Sequence, residues 1–151
     1  MAYTQPNGFN LDMGRMLMKK PLFSWIGTRQ NITPKEEKEQ ENLVRWASYH
    51  WVGQHLFAIP NGGLRDKRVA ARLKLQGVKP GVSDLMLAVP SRGKHGLFIE
   101  MKRAKGSRVS EEQQNFIDKR LEYGYEAKVA YGWEHAVYII TDYLGGSLNE
   151  F

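Results

Sequence analysis

Gly81-Val82-Ser83-Asp84-Leu85-Met86-Leu87-Ala88-Val89 and, after the turn-rich stretch Pro90–Gly96, Leu97-Phe98-Ile99-Glu100-Met101-Lys102-Arg103 decide the reading of this chain. Two such runs joined by turn residues predict a hairpin, Ser83–Val89 against Leu97–Arg103. The second run places an acid and an amine inside an otherwise apolar strand. Burying either charge alone is costly, so the pair must be neutralised, bonded together or arranged around a cation. Strand alternation puts Glu100 and Lys102 on one face and Ile99 and Met101 on the other. A turn centred near residues 92 and 93 sets Asp84 opposite Glu100 at one limit of the register and opposite Lys102 at the other. Either limit keeps all three side chains on one face. Two carboxylates a strand spacing apart make a hard, oxygen-rich site for Mg²⁺ or Mn²⁺. An amine beside them can orient an activated water or stabilise charge on a phosphate. The bland alternative is a pair of edge-strand charges facing solvent.

Working outward, Thr33-Pro34-Lys35-Glu36 reads as a helix start, with Thr33 as N-cap, Pro34 in the first turn and Glu36 placed for a capping box. The helix runs to about Tyr49, with Leu43, Val44, Trp46 and Ala47 on its apolar face and Glu36 and Gln40 projecting near the middle of that face. His55–Ile59 reads as a short strand ended by Pro60-Asn61-Gly62-Gly63, whose glycines allow close approach of a ligand to the backbone. Asp66–Gln76 reads as a basic helix with Val69, Ala70 and Leu73 inward. Ser110-Glu111-Glu112-Gln113 is a second capping-box start, followed by a buried stripe of Phe116, Ile117 and Leu121 and stopped at Gly124. Ala127–Tyr131 reads as a strand, and Trp133–Leu144 as a final helix with Ala136, Val137, Ile140 and Leu144 inward. Residues 1–32 show no sustained periodicity and read as an irregular arm, leaving one domain over 33–151. The element order is α-β-α-β-β-α-β-α.

The 151 residues carry no cysteine, which excludes a disulfide scaffold, a thiolate metal site and a thiol nucleophile, and suits a reducing compartment. The N-terminus lacks the pattern of a signal peptide and no apolar stretch reaches membrane-span length, so a cytoplasmic protein is expected. Formal net charge is +6, but Arg65–Arg108 holds twelve basic and three acidic residues, so the excess is concentrated centrally and the flanks are acidic. That distribution is the footprint of a polyanion-binding face, with salt-sensitive binding expected; the plain alternative is a solvated surface. His50, His55, His95 and His135 lack zinc-ligand spacing, and no P-loop or dinucleotide fingerprint follows a strand, so no nucleotide cofactor is expected.

The ordered set of Gly81–Asp84, Gly96–Lys102 and Ser110–Gln113 resembles the PD-(D/E)XK nuclease superfamily, and within it the VRR-NUC domain, the virus-type replication-repair nuclease. The resemblance extends to Glu36–Trp46, Phe57–Gly63, Ala71–Lys74 and Tyr131–Trp133, and covers about residues 35–144. Ser83 stands where the superfamily motif name has proline, a position that shapes backbone rather than chemistry. The resemblance implies an α/β restriction-endonuclease-like fold, a mixed central sheet flanked by helices, with the metal site at one edge of the sheet. It implies that Asp84, Glu100 and the backbone carbonyl of Met101 bind Mg²⁺ or Mn²⁺ and that Lys102 assists the nucleophilic water. It likens Gln113 to the glutamine of the following helix, and Glu36 to the acidic residue of the first helix, for which Glu37 and Glu39 are possible substitutes. Compact relatives of this kind occur in phages and bacteria and act as homodimers on branched DNA such as Holliday junctions. A DNA partner and a bacterial or phage-infected cytoplasm are the corresponding expectations.

Glu36 and Gln113 each have a rival role as the reciprocal half of a capping box, and Asn61-Gly62-Gly63 can be a tight turn and nothing more. Arg65, Lys67, Arg68, Arg72, Lys105 and Arg108, with Asn61 and Gly62, are the candidate nucleic-acid contacts. Two other functions stay open: a monomeric flap or end-processing nuclease, and a nucleic-acid-binding module without catalysis.

Overall fold

A computed structural model of the chain describes residues 34–60, 67–146 and 148. The expected arm over residues 1–32 lies outside the described residues, as do Thr33, Asn61, Gly62 and Arg65. In chain order the elements are α1 (Glu36–Ala47), a 3₁₀ turn (Trp51–Gln54), β1 (Leu56–Ala58), α2 (Lys67–Leu75), β2 (Leu85–Leu87), β3 (Leu97–Lys102), α3 (Glu111–Glu122), β4 (Glu126–Tyr131) and α4 (Trp133–Tyr143). The expected order holds, with the 3₁₀ turn added. The strands form one mixed sheet in the order β1-β2-β3-β4, antiparallel from β1 to β3 and parallel between β3 and β4. Parallel neighbours need a crossover, and α3 supplies it.

The alternation of β3 divides the molecule into two layers. Leu97, Ile99 and Met101 are fully buried in a core shared with Leu43 and Ala47 of α1 and Ala136 and Ile140 of α4. Phe98 and Glu100 point the other way, toward α3: the Phe98 ring meets Phe116 edge to face at 5.2 Å, and Gln113 bonds Glu100. β2 and β3 are the two inner strands, so the acid–amine pair stands on an interior strand and not, as expected, at an edge of the sheet.

The hairpin between them contains a register shift that positions the site. Its tip is a tight two-residue turn with φ of 48° at Arg92 and 76° at Gly93, closed by the Ser91–Lys94 bridge. Between that bridge and the Leu87–Leu97 pair lie three residues on the first arm and two on the second. The extra residue falls within Ala88–Pro90, where Pro90 has no N–H to give a ladder and the Val89 carbonyl instead accepts from the Tyr143 hydroxyl at 2.7 Å. Without that offset the tip would set Asp84 against Met101, whose side chain belongs to the core.

Three helices differ from expectation in part. α1 begins at Glu36 with Lys35 as N-cap and no side-chain cap, so Glu36 is the first helical residue and cannot be the capping-box partner of Thr33. Its buried line is Glu39, Leu43 and Ala47, an i, i+4 ridge; Val44 is 44% exposed and Gln40 half-buried. In α2 the expected inward residues stay near the surface: Val69 and Ala70 are exposed and Leu73 is half-buried. The sheet's faces are taken by α3 on one side and α1 with α4 on the other, which leaves α2 no place in the core. Leu121 of α3 is likewise 40% exposed, while Ile117 is buried as expected. No helix among the described residues is long and apolar enough to cross a membrane.

Candidate active site

Asp84 stands immediately before β2, and continuing the Leu85–Ile99 register places it opposite Glu100, the first of the two expected limits. Two main-chain bonds fix it: its carbonyl accepts from Ile59 N–H at 2.8 Å, and its Oδ2 accepts from Met101 N–H at 2.8 Å. Glu100 and Lys102 are 1% and 4% exposed, so the solvent-facing alternative fails for both. Lys102 Nζ donates to Glu100 Oε1 at 2.7 Å and to the Met101 carbonyl at 3.2 Å, and lies 3.7 Å from Glu36 Oε1.

Gln113 enters from the first turn of α3. Its Nε2 donates to Glu100 Oε1, its Oε1 accepts from Ser110 N–H at 2.9 Å, and its own N–H donates to Ser110 Oγ at 3.2 Å. The capping box and the contact with Glu100, read from sequence as rivals, coexist because an amide has a donor end and an acceptor end. Among the three acids in the first turn of α1, Glu36 faces Lys102. Glu39 is 2% exposed and accepts from Trp133 N–H at 3.0 Å, capping α4 from another element; Glu37 is exposed.

Burial is the main force on the Glu100 carboxyl and raises it to about 7, with the charges of Asp84 and Glu36 adding to the rise and Lys102 opposing it. Asp84 is also raised by burial, against the pull of Met101 N–H and Lys102. Burial pulls Lys102 down, but its bond to Glu100 and the three surrounding carboxylates more than offset this, and the ammonium is favoured.

This donor set suits a hard divalent cation. Glu100 Oε2 is buried and takes no hydrogen bond from an N–H or hydroxyl, which leaves a desolvated carboxyl oxygen beside a second raised carboxyl, that of Asp84, with which Glu100 interacts. The Met101 carbonyl accepts one bond from Lys102 and keeps a second lone pair. No group of three or more His, Cys, Asp or Glu residues suited to a metal occurs among the described residues, so two carboxylates, a carbonyl and waters are the available ligands.

Arg68 and Arg72 are exposed on α2, and Lys105 and Arg108 are exposed in the segment between β3 and α3. No hydrogen bond among the described residues ties Arg72, Lys105 or Arg108 to the carboxylates. Lys67 opens α2. Trp46, Trp51 and Trp133 pack partly buried against the core. Sequence reading passed over the cations of α3, Lys119 and Arg120; the signal available was Arg120 four residues after Phe116 and three before Tyr123, a spacing that stacks a guanidinium on rings.

A family model of the VRR-NUC domain matches residues 28–134. A solved structure of a VRR_NUC domain protein superposes with a TM-score of 0.67 at 25% sequence identity, covering 77% of this chain and 93% of that one. A search of curated proteins gives no significant match. The family match takes in Glu36, Asp84, Glu100, Lys102 and Gln113, and the architecture agrees with it: the chain belongs to the VRR-NUC domain family, nucleases of the PD-(D/E)XK type.

Proposed function

We propose that this nuclease is a Mg²⁺- or Mn²⁺-dependent, structure-selective DNA endonuclease that cuts branched DNA such as Holliday junctions and works as a homodimer. The observation that carries the metal dependence is the buried Oε2 of Glu100, bonded by no N–H or hydroxyl, beside the Asp84 carboxyl. Asp84, Glu100 and the Met101 carbonyl would hold the cation, which when bound supplies charge to a phosphate and a more acidic water. Lys102 orients the attacking water and screens the developing negative charge on the phosphate. Gln113 fixes the rotamer of Glu100, and Glu36 holds Lys102 from the α1 side. The exposed basic residues Arg68, Arg72, Lys105 and Arg108, together with Asn61, Gly62, Arg65 and Lys67, supply a grip on the phosphate backbone that is indifferent to base sequence. Shape of the substrate then decides where cleavage falls.

One panel tests this reading: labelled four-way junction, flap, nicked and linear duplexes, each with Mg²⁺, with Mn²⁺ and with EDTA. Cleavage of the junction in both strands, abolished by EDTA and by Glu100→Ala while DNA binding persists, is the expected result. Equal cleavage by Glu100→Ala overturns the site assignment. A persistent monomer at micromolar concentration, with flap cleavage only, replaces the junction reading by an end-processing one.

A further inference from the structure

A second cluster lies on α3, on the face next to Gln113. Lys79, Glu112, Asn115, Phe116, Lys119 and Arg120 line an open cavity of about 500 Å³. Arg120 is held in place by rings. Its guanidinium carbon lies 5.0 Å from the centre of Phe116 and 5.5 Å from that of Tyr123, and its buried Nε has no hydrogen-bond partner. Phe116 is itself fixed by Phe98. Lys79 reaches the helix because Gly81, at φ +78°, lets the turn touch it: a Cβ at Gly81 would sit 2.6 Å from the carbonyl of Glu112. None of Lys79, Lys119 and Arg120 forms an ion pair among the described residues. The one acid in the lining, Glu112, accepts from its own N–H and from the Ser110 hydroxyl.

Three cations without ion-pair partners among the described residues around an open cavity, one of them a planar fork stacked on two rings, suit an oxyanion with several acceptor oxygens. From Gln113 to Arg120 the helix rises ~10 Å, about three nucleotide steps of 3.4 Å. We propose that this cavity binds a phosphodiester of the DNA strand roughly three nucleotides from the bond that is cut, with Arg120 as the fixed fork and Lys79 and Lys119 as adaptable charges. The inference rests on the nuclease reading for the identity of the polyanion, but its test does not depend on cleavage.

Binding of a fluorescein-labelled duplex to the full chain is measured in EDTA over a series of salt concentrations. Lys79→Gln/Lys119→Gln changes only exposed side chains and leaves the fold intact. It should weaken binding roughly tenfold at 0.1 M salt and make the slope of log K against log salt shallower by up to about 0.9, the contribution of one phosphate contact. Lys38→Gln/Lys128→Gln removes the same charge from sites already paired with Glu41 and Glu126, and should leave the slope unchanged. In cleavage assays the first double variant should raise KM with kcat within twofold. Equal slopes for the two double variants overturn the cavity as a phosphate site and leave the nuclease reading standing. A wild-type chain that binds DNA through this cavity yet never nicks it with Mg²⁺ or Mn²⁺ overturns the nuclease reading and leaves the cavity standing.

Discussion

Gln113 carries two hydrogen-bonding ends, and the molecule uses both: Oε1 closes the cap of α3 and Nε2 steadies Glu100. Gln113→Glu separates them. A carboxylate still accepts from Ser110 N–H, so the helix start survives, but the donor to Glu100 is lost and a third negative charge faces it. The expected outcome is a melting temperature within a few degrees of wild type and a 10–100-fold loss of metal-dependent nicking, the range typical for groups that orient a metal ligand. Gln113→Ala loses the cap as well, and should cost about 1 kcal/mol in chemical denaturation besides. The residues of the site were legible in sequence wherever a charge interrupted an apolar run, as Glu100 and Lys102 do, because such an interruption is tolerated only with partners. The double use of Gln113 was not legible. It depends on where α3 lands against β3, and a linear capping signature carries no information about the neighbouring strand.

Among elements, α1 and α4 are joined through Glu39, whose carboxylate takes the first N–H of α4 where the helix dipole is positive. The same turn matters to the site, since Gly132 N–H donates to the Lys102 carbonyl at 2.9 Å. Glu39→Ala leaves a buried helix-end N–H without an acceptor, and should cost about 1–3 kcal/mol in urea unfolding. Glu39→Gln keeps an acceptor and should recover most of that loss; equal losses would show that the charge, not the bond, is what α4 needs. Strand and helix types were readable from periodicity and turn residues, and the hairpin was narrowed to two registers that both keep Asp84 with Glu100 and Lys102; the extra residue within Ala88–Pro90 decides between them. The centre of the inward face of α1 was not: Leu43, Trp46 and Ala47 meet the core as expected, but Glu39 is buried where Val44 and Gln40 were expected, because a buried acid there has a helix N-terminus to cap. α2 was misjudged for a related reason. Its Val69, Ala70 and Leu73 stripe is amphipathic, yet a four-stranded sheet already covered on both sides leaves it outside.

At the scale of the whole molecule, a buried carboxylate pair opposes folding once it ionises. Glu100 sits near 7 in the fold against an ordinary 4.5, and Asp84 moves in the same direction. For an acid raised by folding, the stabilising contribution is complete below the unfolded value and is lost as pH climbs through the folded one. Lys102, raised above 10.5, stays charged throughout that window and contributes no slope there. The metal-free protein should therefore melt at a lower temperature at pH 8 than at pH 5.5. The difference for Glu100 is worth about 2 kcal/mol, or roughly 4–8 °C for a domain of this size. Glu100→Gln removes the ionisation and should flatten the profile, with a larger gain over wild type at pH 8 than at pH 5.5. A divalent cation acts on the same groups with the opposite sign, because it binds the ionised folded site and has no equivalent in the unfolded chain. Millimolar Mg²⁺ or Mn²⁺ should raise the melting temperature of wild type at pH 8, raise it less at pH 5.5 where protons compete, and leave Glu100→Gln nearly unmoved. Differential scanning fluorimetry at two pH values, with and without EDTA, reads all three. A wild-type profile flat from pH 5.5 to 8 would mean that the two carboxylates are not held together in a dry site, and the metal proposal would lose its physical basis.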